Sequence, residues 1–341
     1  MNTFGRYFRC TMFGESHGAA LGVVVDGCPP QVPFGAEHLV PLMERRRPGK
    51  SPLSTPRDEA DDVEVLSGIF EGKTTGMPVA MIVRNRDARS GAYDTLRDTA
   101  RPGHADLAYS QKYGCRDHRG GGRSSGRETV SRVMAGALAM QVLSARGVTI
   151  ASRICEVGGE TDPDQFAAVI LQAKEEHDSV GGILEVTITG CPPGLGAPAA
   201  GKLDAELARA MVSIGAVKGV EIGSGFAAAR MRGSEHNDPM SSVGYLSNNA
   251  GGILGGISTG APIVVRMAVK PTPSIARPQQ TVTMDLKDTQ VTVEGRHDAC
   301  IVPRVGVVAE SMAALVLVDA LLEQTAVEGF RPSEEEEGRT A

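Results

Sequence analysis

The sequence predicts an α+β fold built from two related halves, because three features of its first 150 residues recur in its last 160. The turn VDGCPPQVP at 25–33 resembles ITGCPPGLGAP at 188–198. The glycine-rich stretch SGIFEGKTTGMPVAMIV at 67–83 resembles GGILGGISTGAPIVV at 251–265, and both stretches end in an apolar strand. A long helix of small apolar residues closes each half.

Each half is expected to contribute one sheet face and one long buried helix. Glu128 opens a helix that runs to Ala145, and Glu310 lies at the start of another through Leu322. A helix should follow the second CPP turn, where apolar side chains recur at helical spacing at Leu203, Leu207, Met211 and Ile214. Short strands bounded by Gly or Pro are predicted at 22–25, 79–83, 184–188 and 263–269.

The halves span about 10–150 and 180–325 and are expected to form one domain over residues 1–330. The last eleven residues, RPSEEEEGRTA at 331–341, predict an acidic, solvated tail.

Composition excludes several classes of protein. The formal net charge of −6 disfavours nucleic-acid binding, so any anion site must come from a local cluster of basic side chains. Six cysteines without a CxxC pair fit neither a zinc site nor a disulfide framework, and they indicate a reducing cytoplasm. We find no signal-peptide pattern and expect no membrane-spanning segment.

The segment GGGRSSGRE at 120–128 is a candidate anion cradle. It directly precedes a predicted helix, so backbone N–H groups and the charges of Arg123 and Arg127 can meet an anion there. It is not a P-loop, because Arg127 and Glu128 stand where Lys and Ser/Thr are required. A solvated turn with surface arginines is the alternative interpretation.

The segment RRRPGK at 45–50 ends a predicted helix. Its arginines Arg45, Arg46 and Arg47 can satisfy helix carbonyls and offset the negative end of the helix dipole. They can equally bind carboxylate or phosphate through their guanidinium forks.

Two histidines in glycine-flanked loops, His17 and His104, are candidate general acids, with His297 and Asp298 as a third element. A metal site made from His104, Asp106, His297 and Asp298 is an alternative, since His and Asp bind zinc or manganese. The prolines of KPTPSIARP at 270–278 stiffen a segment that either displays polar groups to a flat ligand or serves as a linker.

Eight segments, taken in order between residues 13 and 304, closely resemble motifs of the chorismate synthase family. They are FGESHG, RRRPG, RPGHAD, GGGRSSGRET, AVKGVEIG, SNNAGGILGGISTG, KPTPSI and GRHDACIVPR. The resemblance implies a β-α-β sandwich of two pseudo-symmetric halves. It also implies an anti-1,4-elimination of phosphate from 5-enolpyruvylshikimate 3-phosphate that gives chorismate, the last step of the shikimate pathway to aromatic amino acids, with reduced FMN required but not consumed overall.

The resemblance also implies roles for individual residues. His17 would protonate the departing phosphate, His104 would set the protonation state of the flavin, and Asp298 would help take the substrate proton that the flavin relays. Ser16 and Ser125 would orient these groups. The implied substrate-binding arginines are Arg46, Arg127 and Arg296. The implied FMN contacts are Arg123, Ser124, Ser125, Gly215, Ala216, Gly255, Lys270, Pro271, Thr272, Pro273, Ser274 and Arg296.

Three positions depart from the family pattern. Pro52 replaces a frequent arginine and bears on one anion contact. Gly215 replaces a common asparagine and Ala299 a proline, which affects backbone geometry or one flavin contact.

The resemblance further implies a cytoplasmic homotetramer and no metal. It leaves open whether the chain reduces FMN itself with NADPH or depends on a separate flavin reductase, since no nucleotide fingerprint is present. Two alternatives remain from the residues alone. One is a different flavin or phosphate-handling enzyme, such as a metal-assisted lyase using His104, Asp106 and His297, and the other is an anion-binding module without turnover.

Overall fold

The computed structural model describes residues 2–47, 61–85, 96–293, 295 and 297–329. The expectations for Pro52, Arg296 and the acidic tail lie outside these residues. The strands are β1 (Thr3–Phe4), β2 (Arg9–Gly14), β3 (Ala20–Asp26), β4 (Val63–Val65), β5 (Ile69–Phe70), β6 (Lys73–Thr74), β7 (Val79–Arg84), β8 (Thr149–Val157), β9 (Gly182–Thr189), β10 (Val217–Ile222), β11 (Met240–Ser241), β12 (Gly244–Tyr245), β13 (Ile253–Leu254), β14 (Ile257–Ser258), β15 (Ile263–Val269), β16 (Gln279–Val282) and β17 (Asp288–Val291). The helices are α1 (Ala36–Arg46), α2 (Asp106–Tyr113), α3 (Thr129–Ser144), α4 (Phe166–Glu175), α5 (Leu203–Val212), α6 (Gly233–His236) and α7 (Val302–Glu328).

Two antiparallel sheets carry the repeat. The first has the strand order β1-β2-β3-β7-β4 and the second β10-β15-β9-β8. Apart from the edge strand β1, they have the same connectivity, with β2, β3, β7 and β4 corresponding to β8, β9, β15 and β10. Helix α1 follows β3 as α5 follows β9, and the four apolar residues predicted to lie on one face around α5 are buried. The four strands predicted from Gly/Pro boundaries are observed as β3, β7, β9 and β15.

The repeat extends to individual hydrogen bonds. In the first half, the Thr74 hydroxyl donates to the carbonyl of Pro29 over 2.6 Å and accepts a backbone N–H of the same turn. In the second half, Ser258 does the same with Pro192 over 2.7 Å. The predicted pair of pseudo-symmetric halves is therefore present in the fold.

Helices α3 and α7 form a layer between the two sheets. Helix α3 packs on β3, α7 packs on β8 and β9, and the two helices pack on each other. They approach so closely that a Cβ added to Gly136 would lie 2.3 Å from the Cβ of Ser311. Their buried side chains face both a sheet and the other helix, so neither has a polar stripe. The result is a β-α-β sandwich, as predicted.

Helix α7 differs from expectation in two ways. It begins at Val302 rather than near Glu310, because Pro303 fits the first turn, where its missing N–H costs nothing. By length and composition it would also pass for a membrane span, contrary to the expectation that no segment would. In the structure, 89% of its most apolar window is buried, and it packs against α3, α5 and the second sheet.

Candidate active site

A cavity of about 680 Å³ lies where the N-terminal ends of α3 and α7 meet. It is lined by parts of five segments, namely 101–109, 120–132, 213–216, 270–274 and 297–308, and by Asn2, Met12 and Arg46. Both halves therefore contribute to one site, and both central helices direct the positive ends of their dipoles towards it. A cavity of this size is in the range of small-molecule sites.

The cavity wall is strongly basic although the whole chain is acidic. Among the described residues, seven basic side chains line it against two acidic ones, Glu128 and Asp298. The basic ones are Arg46, Arg101, Arg123, Arg127, Arg132, Lys270 and Arg304. Such a wall favours a ligand with several negative charges.

Arg46 is not a helix cap. Its side chain is almost fully buried, and its Nη2 donates to the carboxylate of Asp61 rather than to a helix carbonyl. Burial lowers the pKa of Arg46 to about 10, with neighbouring arginines acting in the same direction and Asp61 opposing them. Among the described residues, its Nε and Nη1 have no hydrogen-bond partner. A buried cation with unused donors at a cavity wall suits an anionic ligand better than a structural role. The neighbouring Arg45 makes a bidentate pair with Glu310.

Arg127 joins the anion cradle to the loop of His17. Its Nη1 donates to the second oxygen of Asp61, and its Nε donates to Asn85 over 3.2 Å. The Asn85 amide in turn donates to the carbonyls of Glu15 and Gly18 on either side of His17. The guanidinium and the histidine loop are thereby fixed relative to each other.

The cradle at 120–128 folds into two short 3₁₀ turns that lead into α3. The Ser125 hydroxyl caps the second turn by accepting the N–H of Arg127. The Ser124 hydroxyl donates to Gly121, and Arg123 donates to the carbonyl of Gly14. The segment is thus an ordered part of the cavity wall and not a solvated turn.

His104 is held in one tautomer. Its Nδ1 lies 3.0 Å from the carbonyl of Pro102, which can only accept, so Nδ1 carries the proton. Its Nε2 must then accept from the hydroxyl of Ser274, 2.9 Å away. Burial, followed by the charge of Arg101, lowers the pKa of His104 to about 4. The imidazole is therefore neutral near pH 7, and in this state it cannot be the general acid that its loop suggested.

His17 lies behind the cavity wall rather than in it. A Cβ added to Gly120, which does line the cavity, would fall 2.2 Å from the His17 ring. The His17 Nδ1 lies 3.0 Å from the Oγ of Ser16, and that hydroxyl donates to the Gly120 carbonyl over 3.3 Å. Ser16 is fully buried and likewise does not reach the cavity surface. Because its proton goes to Gly120, Ser16 accepts from Nδ1–H, an arrangement compatible with imidazolium.

Asp298 and His297 both line the cavity. Arg304 donates to Asp298 over 2.5 Å, while Asp106 is bound by Arg101 through both carboxylate oxygens. Both carboxylates of the alternative metal site are thus paired with arginine. Within the described part of the chain, no group of three or more metal-ligating side chains converges.

The remaining lining residues suit a flat, partly apolar cofactor. They combine polar groups of the 270–274 segment with apolar side chains, among them Ile214, Ala216, Pro273, Ile301 and Val305. In that segment Lys270 donates to the carbonyl of Gly103 over 2.8 Å, and the buried hydroxyl of Thr272 has no partner among the described residues. An isoalloxazine ring and its phosphate would fit this set of groups.

Most of the predicted FMN contacts lie together, but two do not. Arg123, Ser124, Ser125, Gly215, Ala216, Lys270, Thr272, Pro273 and Ser274 line the cavity. Pro271 does not line it and lies near Gly181. Gly255 is in the turn between β13 and β14, outside the cavity wall of its own chain. That hairpin packs on the turn after β9, as its counterpart does on the turn after β3, which draws it away from the site.

Sequence reasoning missed several residues of the site. Asp61, Asn85 and Arg304 orient the predicted arginines and Asp298. Asp61 and Asn85 lie outside the motifs, and Arg304 ends GRHDACIVPR but was given no role there. Arg132 binds Glu128 through one side of its guanidinium and Ser213 through the other. The spacing of Glu128 and Arg132 at i and i+4 on a helix was the one available signal.

Comparison with known proteins agrees with this geometry. Residues 8–322 match the family model of chorismate synthase. The chorismate synthase of Methanosarcina barkeri is 53% identical, covering 94% of this chain and 96% of the relative. That of Syntrophobacter fumaroxidans is 52% identical, covering 96% of this chain and 99% of the relative. A crystal structure of chorismate synthase is similar at a TM-score of 0.74 and 33% identity, over 94% of this chain and 93% of that one. The chain belongs to the chorismate synthase family.

Proposed function

We propose that the chain converts 5-enolpyruvylshikimate 3-phosphate to chorismate by anti-1,4-elimination of phosphate in this cavity, with reduced FMN. The observation that carries the proposal is a cavity lined by seven basic side chains together with a set of apolar ones. A substrate with one phosphate and two carboxylates matches the basic side chains, and a flavin ring matches the apolar ones.

Arg46 and Arg127 hold an anionic group of the substrate. Both line the cavity, and the unused Nε and Nη1 of Arg46 offer donors in a buried place where charge-assisted bonds are strong. Arg296 is proposed on family resemblance alone as a further anion contact. Together these groups fix the phosphate as it leaves.

On family resemblance, His17 acts as the proton donor to the departing phosphate from its place behind Gly120 in the cavity wall. Ser16, whose own hydroxyl donates to Gly120, accepts from the Nδ1–H of the ring and so orients it. The loop that carries His17 is tied through Asn85 to Arg127. The acid and an anion-binding arginine therefore belong to one hydrogen-bonded unit.

Bound reduced FMN supplies electron density for phosphate departure and a site for the substrate proton. The residues that would hold it are Arg123, Ser124, Ser125, Gly215, Ala216, Lys270 and Thr272 to Ser274. His104 hydrogen-bonds to Ser274, one of these residues, and so lies beside the proposed FMN site. An anionic group in the cavity would raise the pKa of His104 from its low value. Asp298, oriented by Arg304, completes the proton path.

Assembly, location and electron supply belong to the same proposal. We place the enzyme in the cytoplasm as a homotetramer. Exposed apolar side chains on the β11–β12 hairpin, Met240, Val243 and Leu246, support burial against another subunit. Gly255 lies outside the cavity of its own chain, so it would contact only an FMN that is bound in the cavity of a neighbouring chain. NADPH or a separate flavin reductase provides the reducing equivalents.

Two alanine variants test the assigned roles. His17→Ala should keep the fold and lower kcat by about 100-fold or more, the usual scale for losing a positioned acid. Arg46→Ala should chiefly raise KM, because it removes binding to an anion present in both ground state and transition state. Unchanged kcat in the first variant, or a loss of stability alone in the second, would contradict these roles.

A further inference from the structure

Asp61 occupies an unusual position behind the two arginines. One carboxylate oxygen accepts from Arg46 and the other from Arg127. The side chain has no exposed surface, and Asp61 does not line the cavity, although both of its partners do. It therefore touches the groups that face the cavity without facing the cavity itself.

The backbone of Asp61 adopts a conformation that few side chains tolerate. Its φ is +53°, in the left-handed region that residues other than Gly, Asn and Asp rarely adopt. This conformation directs the carboxylate between two guanidinium groups that belong to separate helical segments.

The charges explain why a carboxylate is needed there. Two buried guanidinium groups side by side repel each other. Burial opposes ionisation of Asp61, but Arg46 and Arg127 outweigh it and lower the pKa of the carboxyl. The anion thus offsets the repulsion and fixes one nitrogen of each guanidinium, while Nε and Nη1 of Arg46 stay unengaged by any described residue.

We propose that Asp61 is a positioning residue that holds Arg46 and Arg127 as a preformed pair for one anionic group of the substrate. This inference rests on the proposed function, in which these arginines bind the substrate. Asp61 itself never contacts the substrate.

The proposal predicts a change in affinity for the anion that is opposite to the change expected from charge alone. Removing a negative charge beside two cations should tighten anion binding if field strength alone mattered. Removing a positioning group should weaken it, because the arginines then lose their geometry for the anion. The direction of the change therefore separates the two explanations.

The test is Asp61→Asn in the full-length chain. Asparagine is similar in shape and also tolerates positive φ, so the variant removes the charge with little change of backbone preference. We expect KM for 5-enolpyruvylshikimate 3-phosphate to rise on the order of 10- to 100-fold, the range for losing hydrogen bonds between charged groups. The affinity for FMN, measured by flavin fluorescence, should stay the same, because the hydrogen bonds of Asp61 go to Arg46 and Arg127, which are not among the proposed FMN contacts.

Asp319→Asn is the matched control. Its carboxylate accepts three backbone N–H groups, from Arg6, Tyr7 and Phe8. Neither Asp319 nor these three residues line the cavity. It should lower the melting temperature without moving KM. An unchanged or lowered KM in Asp61→Asn would overturn the proposal, whereas absent turnover in the wild-type enzyme would instead overturn the proposed function.

If Asp61→Asn does not fold, Asp61→Glu decides. It keeps the charge but displaces the carboxylate by one methylene, so a positioning role predicts a raised KM. Wild-type KM in a folded Asp61→Glu variant would contradict that role.

Discussion

His104 shows how local contacts set the chemistry of one side chain. The Pro102 carbonyl accepts a hydrogen bond from its Nδ1–H, and the Ser274 hydroxyl donates one to its Nε2. Both nitrogens of the neutral ring are therefore hydrogen-bonded. Protonation would remove the acceptor that Ser274 uses and place a charge in a buried site near Arg101. The His17 ring instead contacts a hydroxyl that can accept its proton.

The low pKa of His104 predicts acid sensitivity of the fold. Between its ordinary value of 6.5 and the folded value of about 4, the unfolded chain binds a proton that the folded chain refuses. The stability present above pH 6.5 should therefore be lost as the pH is lowered towards 4, by roughly 3 kcal/mol if the whole pKa shift contributes. Urea unfolding of wild type and His104→Gln from pH 7.5 to 4.5 measures it. Parallel curves for the two proteins would count against the shifted pKa.

Gly120 is predicted to set the place of His17. Gly120→Ala should lower kcat, because the new methyl group would overlap the ring at 2.2 Å. Gly114→Ala is the matched control, with a similar φ of +70° and no atom within 4 Å of the added Cβ. Both variants should carry a strain of about 1 kcal/mol, but only the first should lose turnover. Equal kcat values in the two would disprove the steric role.

At the scale of elements, each central helix ties down the end of a helix in the other half. Glu310 of α7 holds Arg45 at the end of α1, and Arg132 of α3 holds Ser213 just after α5. Arg45 precedes Arg46, the proposed anion contact, and Ser213 precedes the loop of Gly215 and Ala216. The packing of α3 against α7 thus positions both the anion wall and the cofactor wall.

The close approach of α3 and α7 makes Gly136 sensitive to substitution. Gly136→Ala should destabilise the fold by about 1–3 kcal/mol, the usual cost of overpacking, even though Ala is the better helix former. Gly233→Ala in α6, where an added Cβ meets nothing within 4 Å, should not. Chemical denaturation of both variants gives the comparison. A Gly136→Ala protein as stable as wild type would mean that the helices can separate freely at this point.

For the whole molecule, the pseudo-symmetry brings equivalent helix ends to one place. The N-termini of α3 and α7 both reach the cavity, so one acidic chain concentrates its basic side chains there. Corresponding positions carry different chemistry, however. Glu128 lines the cavity, whereas its counterpart Glu310 is buried with Arg45 and Ser152 outside it.

The repeat, the main strands and the central helices were predictable because turn sequences and apolar periodicity are local signals. The cradle at 120–128 was predictable for the same reason. Asp61 and Arg304 were not, because Asp61 pairs with Arg127, 66 positions away, and Arg304 donates to the carbonyl of Arg46, 258 positions away. The exclusion of Gly255 from the cavity also depends on tertiary packing, which its motif does not encode. The repeat predicted two halves, but it did not predict that the N-terminal ends of α3 and α7 meet at one cavity.

The most direct test of the account is the reaction itself. Purified protein is incubated anaerobically with 5-enolpyruvylshikimate 3-phosphate and with dithionite-reduced FMN, oxidised FMN, or oxidised FMN plus NADPH, and phosphate and chorismate are followed. We predict equal amounts of both products with reduced FMN, none with oxidised FMN alone, and no loss of activity with EDTA; the NADPH arm shows whether the chain reduces its own flavin. Folded protein that binds FMN but forms neither product with reduced flavin would contradict the proposed function.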